Sequence, residues 1–92
     1  MYKYFYYLSE GFHHNEYKEL CNSKTSAPII QDDFIYYLDI NEKSFFKINL
    51  SNYIREKIVE LDKDLLQFNL YKYYIFYSDQ YLYRINIKTK IR

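Results

Sequence analysis

Lys47 to Arg55 reads KINLSNYIR, and Arg84 to Arg92 reads RINIKTKIR. The segments share Ile48/Ile85, Asn49/Asn86, Ile54/Ile91 and Arg55/Arg92, and keep side-chain type at Lys47/Arg84, Leu50/Ile87 and Asn52/Thr89. An echo this close, in a chain without low-complexity tracts, marks a repeated supersecondary unit, and a repeat has to be read before any single element. The fold turns on the end of the first copy, because Ile54-Arg55 either enters a helix or opens a further strand.

Each copy closes a predicted hairpin. Phe34 to Asp39 (FIYYLD) and Ser44 to Leu50 (SFFKINL) flank Ile40 to Lys43, a connection of hairpin length. In the second arm Phe46, Ile48 and Leu50 share one face, while Phe45, Lys47 and Asn49 form a mixed one. Tyr73 to Ser78 (YYIFYS) and Tyr81 to Ile87 (YLYRINI) flank Asp79-Gln80 in the same way. Ile75-Phe76-Tyr77 follows Ile35-Tyr36-Tyr37 by forty residues and Asp79 follows Asp39 by forty, whereas the echoed segments stand thirty-seven apart because the second turn is shorter. A degraded first copy starts at Phe5-Tyr6-Tyr7, thirty residues before Ile35. The repeat-like units run over about 2–26, 29–61 and 65–92 within one predicted domain, 1–92.

Tyr2 to Leu8 (YKYFYYL) reads as a strand, Ser9 to Asn15 as a loop around the only glycine, Gly11, and Glu16 to Cys21 as a shorter strand. Asn22 to Ser26 is turn-like. Pro28 suits the start of a short strand at Ile29 to Gln31, and Asp32-Asp33 turns the chain into Phe34. Ser51 to Leu70 supports two readings. Ile54, Ile58, Leu61, Leu65 and Phe68 recur at helical spacing, which predicts an amphipathic helix over about 52–68 and an α+β fold with a tyrosine-rich antiparallel sheet. Asp62-Lys63-Asp64 also divides the stretch into strands at Ile58 to Leu61 and Leu65 to Leu70, and no Glu or Gln completes a capping box after Ser51 or Asn52.

Composition points to strands. Fourteen tyrosines and seven phenylalanines stand beside a single alanine, one glycine and one proline, so the predicted class is mostly β and the turns must use Asn, Asp, Ser and Lys. Thirteen basic and twelve acidic side chains give a net charge of +1 and are interspersed, which implies no nucleic-acid partner. The short basic run Lys88, Lys90 and Arg92 reads as a solvated tail. Cys21 is the only cysteine, which excludes an internal disulfide. With no secretory leader and no apolar run long enough to span a bilayer, a cytoplasmic protein without membrane association is expected.

Chemistry-bearing clusters are sparse. His13-His14 with Glu10, Glu16 and Cys21 lacks the spacing of a zinc site, Cys21 has no oxyanion-forming loop, and Asp32-Asp33 and Asp62/Asp64 sit at turn signals. No metal, no cofactor and no catalytic residue is expected. Tyrosine supplies rigid amphipathic contact area, so Phe12, Tyr17, Tyr71, Tyr73 and Tyr74, at loops or strand starts, are the candidate binding residues.

Ile35-Tyr36-Tyr37-Leu38-Asp39 followed by Phe46-Lys47-Ile48-Asn49-Leu50, and Phe76-Tyr77-Ser78-Asp79 followed by Leu82-Tyr83-Arg84-Ile85-Asn86-Ile87, resemble the YWTD-type β-propeller repeat. The chain lacks that repeat's tryptophan at Tyr37 and Tyr77, and its glycine turn is replaced at Leu50-Ser51-Asn52 and Ile87-Lys88-Thr89. The resemblance implies antiparallel hairpin repeats like propeller blades, about two and a third of them, with Asp39 and Asp79 as structural turn residues. An incomplete ring leaves sheet faces to cover, so a self-associating, non-enzymatic protein-interaction module is expected. The helical reading of 52–68 corresponds instead to a small α+β inhibitor or immunity-type protein that binds one protein target.

Overall fold

The computed structural model describes residues 5–8 and 17–91. Among them nine strands and no helix form three antiparallel sheets. The first sheet pairs β1 (Phe5–Leu8) with β2 (Tyr17–Cys21). The second is a meander of β3 (Ile29–Gln31), β4 (Phe34–Asp39), β5 (Ser44–Asn49) and β6 (Arg55–Glu60). The third is a meander of β7 (Asn69–Tyr71), β8 (Tyr74–Ser78) and β9 (Leu82–Asn86). The protein is therefore mostly β, built from antiparallel hairpins.

The helix expected over 52–68 does not form, and with it the α+β alternative falls. Ile54, the first residue of the supposed apolar stripe, is 63% exposed. Arg55 to Glu60 instead lie along β5 in a ladder that includes Ile48↔Arg55 and Ser44↔Glu60. Ile58, Leu61, Leu65 and Phe68 are all buried in one cluster with β4, β5, β8 and β9. Their helical spacing thus comes from a strand and a link that both border the same core. The strand expected at Leu65 to Leu70 is shorter than its pattern, beginning at Asn69.

The described turns are built without glycine. Asp32 and Asp33 have φ of 51° and 65°, the two left-handed residues that a type I′ hairpin turn between β3 and β4 requires and that aspartate tolerates better than most residues. The echoed segments build one turn twice. Asn49 N–H donates to Ile54 O at 3.0 Å and Asn49 O accepts from Tyr53 N–H at 2.7 Å; Asn86 N–H donates to Ile91 O at 3.0 Å and Asn86 O accepts from Lys90 N–H at 2.7 Å. Tyr53 and Lys90 take φ of 60° and 64°. Each asparagine also folds its side chain over the turn, Asn49 Oδ1 accepting from Ser51 N–H at 2.7 Å and Asn86 Oδ1 from Lys88 N–H at 2.9 Å.

The sheets stack in chain order. Alternation along β4 and β5 sends Ile35, Tyr37, Phe46 and Ile48 to one side, where they bury with Cys21 and Leu20 of the first sheet. Tyr36, Leu38 and Phe45 go to the other side and bury with Ile75, Tyr77, Ile85 and Ile87 of the third. Both faces of the second sheet are thus packed, including the face that alternation marked as mixed. Phe45 is fully buried, its ring 5.1 Å from that of Phe68 and 5.8 Å from that of Tyr77. A fully buried aromatic of this kind contributes roughly 1.5–3 kcal/mol.

Candidate interaction surface

The two seams between sheets carry matching polar clusters. At the first, the Tyr37 and Phe46 rings stack at 5.6 Å and 16°, and the Arg55 guanidinium lies 3.7 Å from the Phe46 centroid. Arg55 Nε donates to Tyr37 Oη at 2.6 Å, and Nη2 donates to Asp39 Oδ2 and Glu42 Oε2, each at 3.2 Å. The buried Asp39 carboxylate also accepts from Ser23 Oγ at 2.7 Å and from Glu42 N–H at 3.0 Å. Burial pushes the Tyr37 phenol well above its ordinary value, against the opposing pull of the Arg55 hydrogen bond.

At the second seam, the Tyr77 and Tyr83 rings stack at 5.2 Å and 19°, Lys63 lies 4.4 Å from the Tyr83 centroid, and Lys63 Nζ bonds Asp79 Oδ2 at 3.0 Å. Asp79 Oδ1 accepts from the Gln80 and Tyr81 amides. The Lys63 hydrogen bond holds the Asp79 carboxyl below the usual carboxylate range and raises Lys63 in turn. Asp39 and Asp79 therefore play one part in two places: Asp39 accepts one turn amide and Asp79 two, and each anchors a cation over the aromatic ring of the next strand. The cation comes from β6 in one case and from the 61–68 link in the other.

Two concavities adjoin these seams. One of about 300 Å³ is bordered by Leu20, Cys21, Asn22, Ser23, Glu42 and Arg55. Cys21 is buried, with its Sγ 3.6 Å from Ser23 Oγ. The other, about 380 Å³, opens between the second and third sheets among Phe34, Lys47, Glu56, Tyr73, Lys88 and Lys90. Among the described residues no three His, Cys, Asp or Glu side chains gather as a metal site would need, and no helix is long and apolar enough to cross a membrane.

A further repeated feature is a surface. On the third sheet, Ile75, Tyr77, Ile85 and Ile87 point into the core, so Tyr74, Phe76, Leu82 and Arg84 stand on the opposite, outer face, joined there by Tyr71 from β7. Leu82 is 75% and Tyr71 62% exposed. This face copies the face of the second sheet that the third sheet covers. Phe34, Tyr36 and Phe45 become Tyr74, Phe76 and Leu82, and Lys47 becomes Arg84, while the buried Leu38 becomes the exposed Ser78. The cross-strand pairs correspond: Phe34↔Asn49 and Tyr36↔Lys47 in one sheet, Tyr74↔Asn86 and Phe76↔Arg84 in the other. So do the ring geometries, at 6.2 Å and 46° for Phe34/Tyr36 and 6.1 Å and 49° for Tyr74/Phe76.

Of the candidate binding residues, Tyr71 and Tyr74 meet on this face. Tyr73, in the β7–β8 turn, borders the groove on the other side of the sheet, with Lys88 3.9 Å from its centroid. Tyr17 opens β2 at the far end of the stack, paired with Leu8, and Phe12 lies outside the described residues, as do His13 and His14. Phe76, Leu82 and Arg84 belong to the repeated motif but not to the candidate binding residues, although the forty- and thirty-seven-residue offsets align them with Tyr36, Phe45 and Lys47. No family model, curated protein or solved structure matches the chain.

Proposed function

We propose that the protein is a non-enzymatic protein-interaction module built from propeller-like repeats, and that it self-associates. The observation that carries this reading is the outer face of the third sheet, an aromatic and aliphatic surface that repeats two cross-strand pairs of a face packed between sheets within the same chain and differs at a third, where Ser78↔Leu82 stands for Leu38↔Phe45. Repeat units of this kind bury by stacking what they cannot bury alone, and a contiguous exposed apolar patch marks an interaction site. The stacked meanders, with one polar seam motif used twice, support the blade-like character of the repeats. Size-exclusion chromatography with light scattering tests the reading: a mass above that of one copy at micromolar concentration is expected, and a single-copy mass at every concentration up to millimolar overturns it.

A further inference from the structure

We infer that the groove between the second and third sheets binds a small phosphate ester, its phosphate on lysine ammoniums and its organic part against the groove's apolar wall. The groove, of about 380 Å³, is bordered by Lys47, Lys72, Lys88 and Lys90 and by two acidic residues, Asp32 and Glu56. Two positive charges are thus in excess at one place, in a chain whose net charge is +1. Glu56 is already engaged, its Oε2 lying 3.7 Å from Lys90 Nζ. No ion pair among the described residues involves Lys47 or Lys88. Lys88 lies instead 3.9 Å from the centre of the Tyr73 ring and Lys47 4.7 Å from that of Phe34. A ring face orients an ammonium by electrostatic attraction and leaves its hydrogen-bond donors to an incoming anion. Lys72 reaches toward Tyr71, at 5.3 Å, and stands at the rim.

The repeat's backbone does not call for these lysines. At the forty-residue offset, Lys72 and Tyr73 stand where the preceding unit has Asp32 and Asp33, and at the thirty-seven-residue offset Lys88 and Lys90 stand where it has Ser51 and Tyr53. Asp32 and Lys72 hold φ of 51° and 53°, and Tyr53 and Lys90 hold 60° and 64°, so equivalent turn positions form with acidic or neutral residues. All four replacements move the charge in the positive direction, and all four residues border one groove. Lys88 and Lys90, which sequence alone reads as a solvated tail, are part of its wall. An ammonium is a compact charge with three rotatable donors, suited to phosphate oxygens. The groove is far roomier than a lone phosphate ion needs and has the volume of a small-molecule site rather than of a channel for an extended chain. Phe34 lines it together with Tyr36 and Ile87, which are 4% and 8% exposed, and this wall suits the organic part of an ester. The site is separate from the outer face of the third sheet and does not depend on self-association.

Amide NMR titration of the full chain with adenosine monophosphate, inorganic phosphate and adenosine tests the assignment. Adenosine monophosphate is expected to give saturable shifts at Lys47, Tyr73, Lys88 and Lys90 and none at Lys24, and to bind more tightly than either of the other two probes. Lys88→Gln and Lys47→Gln should each weaken its binding about threefold to tenfold, with unchanged circular dichroism spectra. Lys24→Gln, which removes a lysine away from the groove, should leave binding as it was. Adenosine binding as tightly as its monophosphate overturns the role of the lysines, and inorganic phosphate doing so overturns the ester. An equal loss with Lys24→Gln shows only general attraction to a basic surface and overturns the groove. No saturable shift with any of the three probes, or shifts at the groove with a glutamate-rich peptide alone, overturns the phosphate site.

Discussion

The Arg84 guanidinium lies 4.8 Å from the centre of the Tyr74 ring, on the third sheet's outer face. Lys47 stands over Phe34 at 4.7 Å in the equivalent place on the second sheet, where the third sheet covers its neighbours Tyr36 and Phe45. A cation over an aromatic ring contributes about 0.5–1 kcal/mol at an exposed site, so the pair does little for stability alone. Its interest lies in position, since one arrangement of side chains serves once as an internal packing face and once as a surface.

That difference predicts unequal costs for equivalent substitutions. Tyr36 is 4% exposed, and Tyr36→Ala should destabilise the chain by about 3–5 kcal/mol, as large aromatic truncations in cores do. Phe76→Ala, at the matching position, should cost well under half of that when measured by urea denaturation at a concentration low enough to keep the chain monomeric.

Asp33 sits at φ of 65° in the β3–β4 turn. Asp33→Gly removes the steric cost of a left-handed conformation while keeping the type I′ geometry, and should raise stability by about 0.5–1 kcal/mol. Thermal denaturation of the variant at fixed concentration measures the change.

Arg55 joins Tyr37, Asp39 and Glu42 through three hydrogen bonds. Arg55→Met should cost about 1–3 kcal/mol because the buried Asp39 carboxylate loses its cation, Ser23 and the Glu42 amide remaining as partners. Arg55→Lys should recover only a minor part, since an ammonium cannot present the fork that reaches Tyr37 and Asp39 together. Asp39→Asn in the Arg55→Met background should reduce the loss by removing the uncompensated charge, which a double-mutant cycle would show.

The Lys63–Asp79 bond gives a pH dependence with a definite sign. Asp79 is depressed in the folded chain by its hydrogen bond from Lys63, so its contribution is present above the unfolded value of about 3.9 and is lost as pH falls through the lower folded value. Lys63 is raised by the same bond, so its contribution holds below about 10.4 and is lost as pH rises through the higher folded value. Carboxyl NMR should show Asp79 titrating below an ordinary aspartate, and Lys63→Met should move that titration upward.

Much of the strand layout is legible in the sequence because alternation and turn chemistry agree there. Ile29 to Gln31 and Phe34 to Asp39 are bounded by Pro28, Asp32-Asp33 and the Ile40 to Lys43 connection, and both strands form within those bounds. The stretch after the echo is ambiguous in sequence because Ile58, Leu61, Leu65 and Phe68 reach a common core from a strand and an irregular link, a tertiary cause that mimics helical period. The outer face stays hidden when tyrosines at loops and strand starts are weighed singly. Phe76, Leu82 and Arg84 acquire meaning only when the offsets are carried through to side-chain direction, which depends on which face of the third sheet packs inward.

If the face bearing Tyr74, Phe76 and Leu82 is covered when copies meet, hydroxyl-radical footprinting across a dilution series should register it. Oxidation of Phe76 and Leu82 should fall as concentration rises, while that of Leu66, 62% exposed in the link between the second and third sheets, should stay constant. Equal reactivity of Phe76 and Leu82 at all concentrations, with Leu66 as the internal standard, would show that this face stays open and that copies do not meet there.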